Sequence, residues 1–251
     1  MSNQATDKQQ VVEMSTTKSP PIYIPDSFKG YPISSFNLQH VPACDLESVL
    51  IPGGLVRDRI ERLGFDISSD LANEDFTFLC VLKGGFQFFN QLLEVVRQYH
   101  RFNVDQVTSK ANSKARRIQA EFIRLISYED DSSRGEVRII GLESLSSLRN
   151  KNVLVCEDII DSGLTMTKLL AALSKEKPKL IRVASLFFKR TPKNTSNYYP
   201  DYVGFSIPDS FIVGCNLDYN NYFRDLQHVC VISNEGKQRY KASNEDSNGS
   251  N

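Results

Sequence analysis

One segment constrains this chain more than any other. An apolar, β-branched run, Val153-Leu154-Val155-Cys156, passes through the acids Glu157, Asp158 and Asp161 into the small-residue turn Ser162-Gly163-Leu164-Thr165. The apolar start reads as a parallel strand covered on both faces, and the pattern Met166 to Leu173 that follows reads as a helix. The acids therefore stand at the carboxyl end of a strand, where a turn opens into a helix. Backbone N–H groups of such a turn and of the first helical residues have no partner within the helix and carry the positive end of its dipole, so they can hold a phosphate dianion. The hydroxyls of Ser162 and Thr165 can add donors. Glu157 and Asp158 repel a phosphate, but they can accept hydrogen bonds from ribose hydroxyls or hold a hydrated magnesium ion. The combination suits a sugar phosphate carrying a metal-bound pyrophosphate. A simpler reading is a strand followed by an acidic helix cap. A cap needs one short acceptor, whereas this segment uses adjacent acids, another acid three residues on, and a glycine where a side chain would block a ligand.

The rest of the chain alternates in the same way. Thr77 to Leu82 reads as a strand and Phe86 to Tyr99 as a helix with an apolar stripe through Phe89, Leu92, Leu93 and Val96. Gln119 to Ile126 reads as a strand, Asn152 to Leu173 as a further strand–helix unit, and Leu180 to Phe188 as another buried strand. Short strands are expected over Val203 to Phe205, Phe211 to Val213 and Val229 to Ile232. Alternation of this kind implies an α/β fold with a twisted, mainly parallel sheet flanked by helices, in which ligands collect at the carboxyl ends of the strands. Lys83-Gly84-Gly85 lies between a strand and a helix, so its amides and lysine can cradle a second phosphate. By itself it reads more simply as a glycine turn with a solvated lysine.

These blocks, taken in order with Glu121 to Tyr128, Leu186 to Pro192 and Leu217 to Asp225, resemble the type I phosphoribosyltransferases, and Glu157-Asp158-Ile159-Ile160-Asp161 is most similar to the hypoxanthine-guanine members of that family. The resemblance covers residues 22 to 241. It implies a small hood built from the terminal segments, and a transfer of phosphoribose from 5-phosphoribosyl-1-pyrophosphate to hypoxanthine or guanine, giving IMP or GMP and pyrophosphate, with Mg2+ as cofactor. Glu157, Asp158, Asp161, Ser162, Gly163, Leu164 and Thr165 would bind the ribose and its 5'-phosphate. Lys83, Gly84, Ser127, Tyr128 and Arg224 would meet the pyrophosphate, and the peptide entering Lys83 is often cis in the family. The polar stretch Ser127 to Gly135 would close as a lid. Lys189, Phe211, Ile212 and Asp218 would form the purine site, because an ammonium donates to the exocyclic oxygen of a 6-oxopurine and finds no acceptor on adenine's amino group. Glu157, Asp158 and Asp218 are the implied metal ligands, and Asp161 the catalytic base at purine N7. Without the resemblance, Lys189 would be a solvated lysine, Phe211 a core residue, and Asp218 with Arg224 a surface ion pair. The family usually has lysine at the positions of Ile126 and Leu164, which keeps open the reading of a weakened paralogue.

Composition agrees with one compact domain. The chain has 251 residues with Lys plus Arg and Asp plus Glu equal at 30, so net charge gives no support for a nucleic-acid partner. A competing reading, a non-catalytic sensor that binds the same donor to regulate nucleic acid, lacks an appended helix-turn-helix signal. The basic cluster Lys110, Lys114, Arg116 and Arg117 reads as a solvated connection. No apolar run reaches the roughly 18 residues of a membrane span, and the polar start lacks the core of a signal peptide, so a cytoplasmic location is the default. Cys44, Cys80, Cys156, Cys215 and Cys230 form no CxxC pair and are expected to be reduced structural thiols. Polar tails over 1–20 and 242–251 are expected to flank a domain over 21–241, and a homodimer or homotetramer is the expected assembly.

Overall fold

The computed structural model describes residues 18–38, 40–71, 74–107, 117–127 and 137–242. Its strands are β1 (Ile22–Tyr23), β2 (Leu46–Ile51), β3 (Phe76–Leu82), β4 (Ile118–Ser127), β5 (Val137–Ile140), β6 (Asn152–Ile160), β7 (Leu180–Lys189), β8 (Tyr202–Ile207), β9 (Ile212–Val213) and β10 (Val229–Ile232). Helices are α1 (Gly53–Asp70), α2 (Phe86–Val107), α3 (Leu164–Lys175) and α4 (Asn234–Arg239). Seven strands form one sheet in the order β1-β8-β7-β6-β3-β4-β5, parallel except for the antiparallel β4–β5 pair.

Strand periodicity sorts the buried side chains into two layers. Phe76, Phe78, Cys80, Leu154 and Cys156 join the α1 and α2 side, packing with Ile60, Leu63, Leu92 and Val96. Their neighbours Leu79, Val81, Val153 and Val155 join the other layer with Met166, Leu169 and Leu173 of α3. The near-continuous apolar character of β3 and β6 is thus the consequence of helices on both faces. From β3 the chain moves outward to β4, whereas β6 leads the other way to β7 and β8. The strand order reverses between β3 and β6, so the connections leaving their carboxyl ends part and open a crevice there.

Sequence and structure differ in places. The expected helix from Phe86 runs past Tyr99 to Val107, the strand expected over Val203 to Phe205 spans Tyr202–Ile207, and Phe211 lies just outside β9. Residues 46–70 carry β2 and α1, which the sequence reading leaves unassigned, although Val56, Ile60, Leu63 and Ile67 form the buried stripe of an amphipathic helix. The hood is a second, three-stranded antiparallel sheet, β2-β10-β9, with its own core of Leu46, Val49, Val213, Leu226, Cys230 and Ile232. At the N-terminal side, Ser19 bonds to Asp66, and the buried Arg59 guanidinium donates to the carbonyls of Pro20, Val203 and Gly204 at 2.8–2.9 Å. Ordered packing thereby already includes residues within the stretch expected as a tail.

All five cysteines are free. Burial pushes the Cys80, Cys215 and Cys230 thiols up to about 12, which keeps them protonated and unreactive at neutral pH.

Candidate active site

The β6–α3 connection builds one wall of the crevice. Gly163 caps α3 with φ of 75°, a left-handed conformation that favours glycine, and no side chain bonds at that cap. A Cβ on Gly163 would stand 2.3 Å from Ser196 Oγ, whose own hydroxyl donates to the Ser162 carbonyl at 3.2 Å. The loop around Ser196 thus braces the turn from behind, a contribution with no local signal in the sequence. The structure also decides against the acidic-cap reading, because Asp161 does not cap α3. Its Oδ2 lies 3.0 Å from Lys189 Nζ, while its Oδ1 is sealed from solvent and accepts no hydrogen bond.

That ion pair joins the carboxyl ends of the neighbouring strands β6 and β7. Lys189 is 8% exposed, and a buried ammonium needs a fixed acceptor. The sequence reading assigned Lys189 and Asp161 separate contacts to a purine. The structure brings them together as one unit, with the half-exposed Asp161 carboxylate lining the cleft.

Glu157 and Asp158 line the same cleft, about 280 Å³ in volume, with Leu82, Asp161, Ser162, Gly163 and Thr165. Burial pushes the Glu157 carboxyl well above the ordinary range, reinforced by the charge of Asp158 beside it. Burial also raises Asp158, but hydrogen bonds from Glu157 and from the Ile159 N–H, together with the Arg224 charge, oppose that shift. Two adjacent acids held in this way gain from a cation or from hydroxyl donors. Among the described residues no cluster of three His, Cys, Asp or Glu is arranged to hold a metal. Magnesium retains several waters and takes only one or two carboxylates from a protein, so the Glu157–Asp158 pair fits it without such a cluster.

The opposite wall is the turn after β3. The peptide Leu82–Lys83 is cis, as the resemblance implied. Gly84 backs directly onto Asp158, and a Cβ there would come within 1.8 Å of Asp158 Oδ2. Glycine at 84 is therefore what lets the two walls close on each other. Lys83 is exposed above this contact.

The hood supplies the roof. Arg224 is held by Asp218 Oδ1 at 2.6 Å and by the Asn216 carbonyl at 2.7 Å, and Asp218 Oδ2 accepts from the Asn221 N–H at 2.7 Å. The ion pair that the isolated residues suggested is thus present, but it stands on the hood facing Asp158 rather than on an outer surface. Phe211 is 45% exposed, edge-on to Tyr219 at 5.4 Å between ring centroids, with the Lys237 ammonium 5.8 Å over its ring. Ile212 is buried in β9. Leu164 and Thr165 are exposed at the start of α3, Ser162 Oγ accepts from the Leu164 N–H at 3.4 Å, and Ile126 pairs with Arg138 across β4–β5. Ser127 ends β4. Of the expected lid Ser127 to Gly135, all beyond Ser127, Tyr128 included, lies outside the described residues, as does the basic cluster apart from Arg117.

Residues 53–220 match the phosphoribosyl transferase domain family. The hypoxanthine-guanine phosphoribosyltransferase of Bos taurus is 49% identical over 225 residues, covering 90% of this chain and 99% of that protein. The Homo sapiens enzyme of the same name is 47% identical over 226 residues, again with 90% and 99% covered. Among solved structures, the hypoxanthine-guanine phosphoribosyltransferase of Schistosoma mansoni, crystallised with IMP, superposes with a TM-score of 0.68 at 36% identity, covering 88% of this chain and all of that one. With the two phosphate-type turns meeting across the β3/β6 crevice, and 47–49% identity to these enzymes over 90% of its length, the chain belongs to the phosphoribosyltransferase family.

Proposed function

We propose that this protein transfers phosphoribose from 5-phosphoribosyl-1-pyrophosphate to hypoxanthine or guanine, releasing IMP or GMP and pyrophosphate. The observation that carries this reading is the Asp161–Lys189 pair at the ends of β6 and β7, 3.0 Å apart, with the half-exposed Asp161 carboxylate lining the cleft. It offers a donor and an acceptor side by side, as the carbonyl oxygen and the adjacent N7 proton of a 6-oxopurine require.

In this reading, the turn from Asp161 to Thr165 holds the 5'-phosphate through its amides and hydroxyls, and Glu157 and Asp158 accept from the ribose hydroxyls. Lys83, Gly84 and Arg224 hold the pyrophosphate, with Ser127 and Tyr128 joining from the lid. Phe211 stacks on the purine, while backbone groups of Ile212 and Asp218 meet its edge. The bond from ribose C1 to the pyrophosphate oxygen breaks and a bond from C1 to a purine ring nitrogen forms. The purine N7 proton passes to Asp161, and Lys189 stabilises the exocyclic oxygen. The charges of Lys83 and Arg224 oppose the negative charge that grows on the leaving group. Glu157 with Asp158, and separately Asp218, are the carboxylates that would hold Mg2+, which when bound supplies further charge neutralisation. A cytoplasmic homodimer or homotetramer completes the proposal. Among the described residues no helix is long and apolar enough to cross a membrane.

The test is incubation with the donor, magnesium and, separately, hypoxanthine, guanine, xanthine or adenine, followed by separation of nucleotides. IMP and GMP are the expected products. Absence of both would reject the reading.

A further inference from the structure

Asn216 lies outside every phosphate and purine motif, yet it touches the donor loop more directly than any other hood side chain described above. Its Nδ2 stands 2.8 Å from the Lys83 carbonyl oxygen and 2.6 Å from that of Gly84. Carbonyl oxygens only accept, so the amide nitrogen must face them and each of its hydrogens serves one. The main chain of Asn216 engages Arg224 as well: its N–H donates to the Arg224 carbonyl at 3.0 Å and its carbonyl accepts from the guanidinium at 2.7 Å. One residue therefore ties the Lys83–Gly84 turn to Arg224, and through Arg224 to Asp218.

We propose that Asn216 is a positioning residue for the pyrophosphate half of the donor, orienting the Lys83–Gly84 turn and Arg224 as one unit. The inference rests on the phosphoribosyl-transfer reading above. The carbonyl and N–H of a trans peptide point in opposite directions. Fixing the Lys83 carbonyl against Asn216 thereby fixes the Gly84 N–H on the other side, away from the hood amide. Asp158 limits the turn from beneath, because Gly84 has no room for even a methyl group there. The backbone is shaped for this contact: Gly214, Cys215 and Asn216 have successive φ values of 92°, 50° and 74°. Asn tolerates the left-handed conformation better than most residues, and its short side chain reaches the turn from there. An aspartate of the same shape would set oxygens against the two carbonyls and donate nothing.

Asn216→Gly is the informative variant, since it removes the amide while keeping a residue suited to positive φ. Wild type, N216G and the isosteric N216D are compared in two ways: calorimetric titration with magnesium pyrophosphate, and steady-state kinetics with donor and hypoxanthine varied separately. Loss of the two hydrogen bonds should weaken pyrophosphate and raise the donor KM by about 10-fold, with the hypoxanthine KM within about twofold. N216D should be at least as impaired, and it carries the test if N216G loses its cooperative melt. Pyrophosphate affinity within about twofold of wild type, or a hypoxanthine KM rising in step with the donor KM, would overturn the assignment. A wild type that binds pyrophosphate yet forms no nucleotide would instead refute the transferase reading, and the calorimetric comparison would still judge Asn216.

Discussion

Gly84→Ala tests whether the two walls of the crevice are rigidly opposed. The added Cβ would lie 1.8 Å from Asp158 Oδ2 and 2.7 Å from its carboxyl carbon, so restoring an ordinary contact of 3.4 Å demands a movement of about 1.6 Å by the turn or the acid. Asp158 is poorly placed to yield. It is 7% exposed and its Oδ1 is held by the Ile159 N–H at 2.8 Å. The turn is no freer, because Asn216 holds both its carbonyls. Overpacking of this kind costs about 1–3 kcal/mol of stability, a fall of roughly 2–4 °C in Tm per kcal/mol in a chain of this size. The catalytic effect should be larger, since a misplacement of about 1 Å near reacting groups costs on the order of 10²-fold. The assay is kcat/KM for the donor at saturating hypoxanthine, alongside a thermal melt. Gly54→Ala is the control: beyond its chain neighbours and its own helix backbone, its added Cβ would meet nothing within 4 Å, so it should keep activity and gain about 0.5 kcal/mol from reduced chain freedom. A G84A enzyme within about threefold of wild type would show that the cradle relaxes freely, and the close-packing argument would fail.

Three further outcomes are expected. Asp161→Asn keeps size but removes the base and leaves the buried Lys189 ammonium without its anionic partner, so single-turnover rates should fall on the order of 10²-fold; an unchanged rate would reject the role. Lys189→Gln should weaken hypoxanthine and guanine use by roughly 1.5–3 kcal/mol while adenine use holds steady; a raised donor KM with intact purine preference would instead move Lys189 to the phosphate site. His228 accepts the Gly53 N–H on Nδ1 at 3.0 Å, and burial with the charge of Arg57 holds its pKa below the ordinary 6.5. The folded state thus binds fewer protons than the unfolded one just below pH 6.5. Stability from this site is complete above that value and declines as pH falls through the folded pKa. His228→Gln keeps an acceptor without the titration, so the drop in Tm between pH 7.5 and 5.5 should shrink, and identical drops would contradict the assignment.

Local chemistry determined much of this protein. Near-continuous apolar runs in Thr77–Leu82 and Val153–Cys156 specify strands buried on both faces because side chains alternate across a sheet, and Gly163 marks the turn because a left-handed residue there needs no Cβ. Such signals are complete within a few residues, which is why the phosphate turns were legible with their acids and glycines. Helix α1 stays unassigned from sequence although Val56, Ile60, Leu63 and Ile67 carry its helical spacing, and its buried Arg59 has meaning only against Pro20, Val203 and Gly204. What tertiary structure alone decided are partnerships between groups far apart in sequence. Asp161 could have capped α3, and it pairs with Lys189 because β6 and β7 lie side by side. Arg224 and Asp218 could have been an outer-surface pair, and the hood instead brings them over the crevice. Asn216 carries no motif, and it reaches Lys83 across 133 positions of chain because β2, β9 and β10 fold the hood onto the sheet. A hydrogen bond is specified by the position of both partners, and only the packed sheet and hood fix the second one.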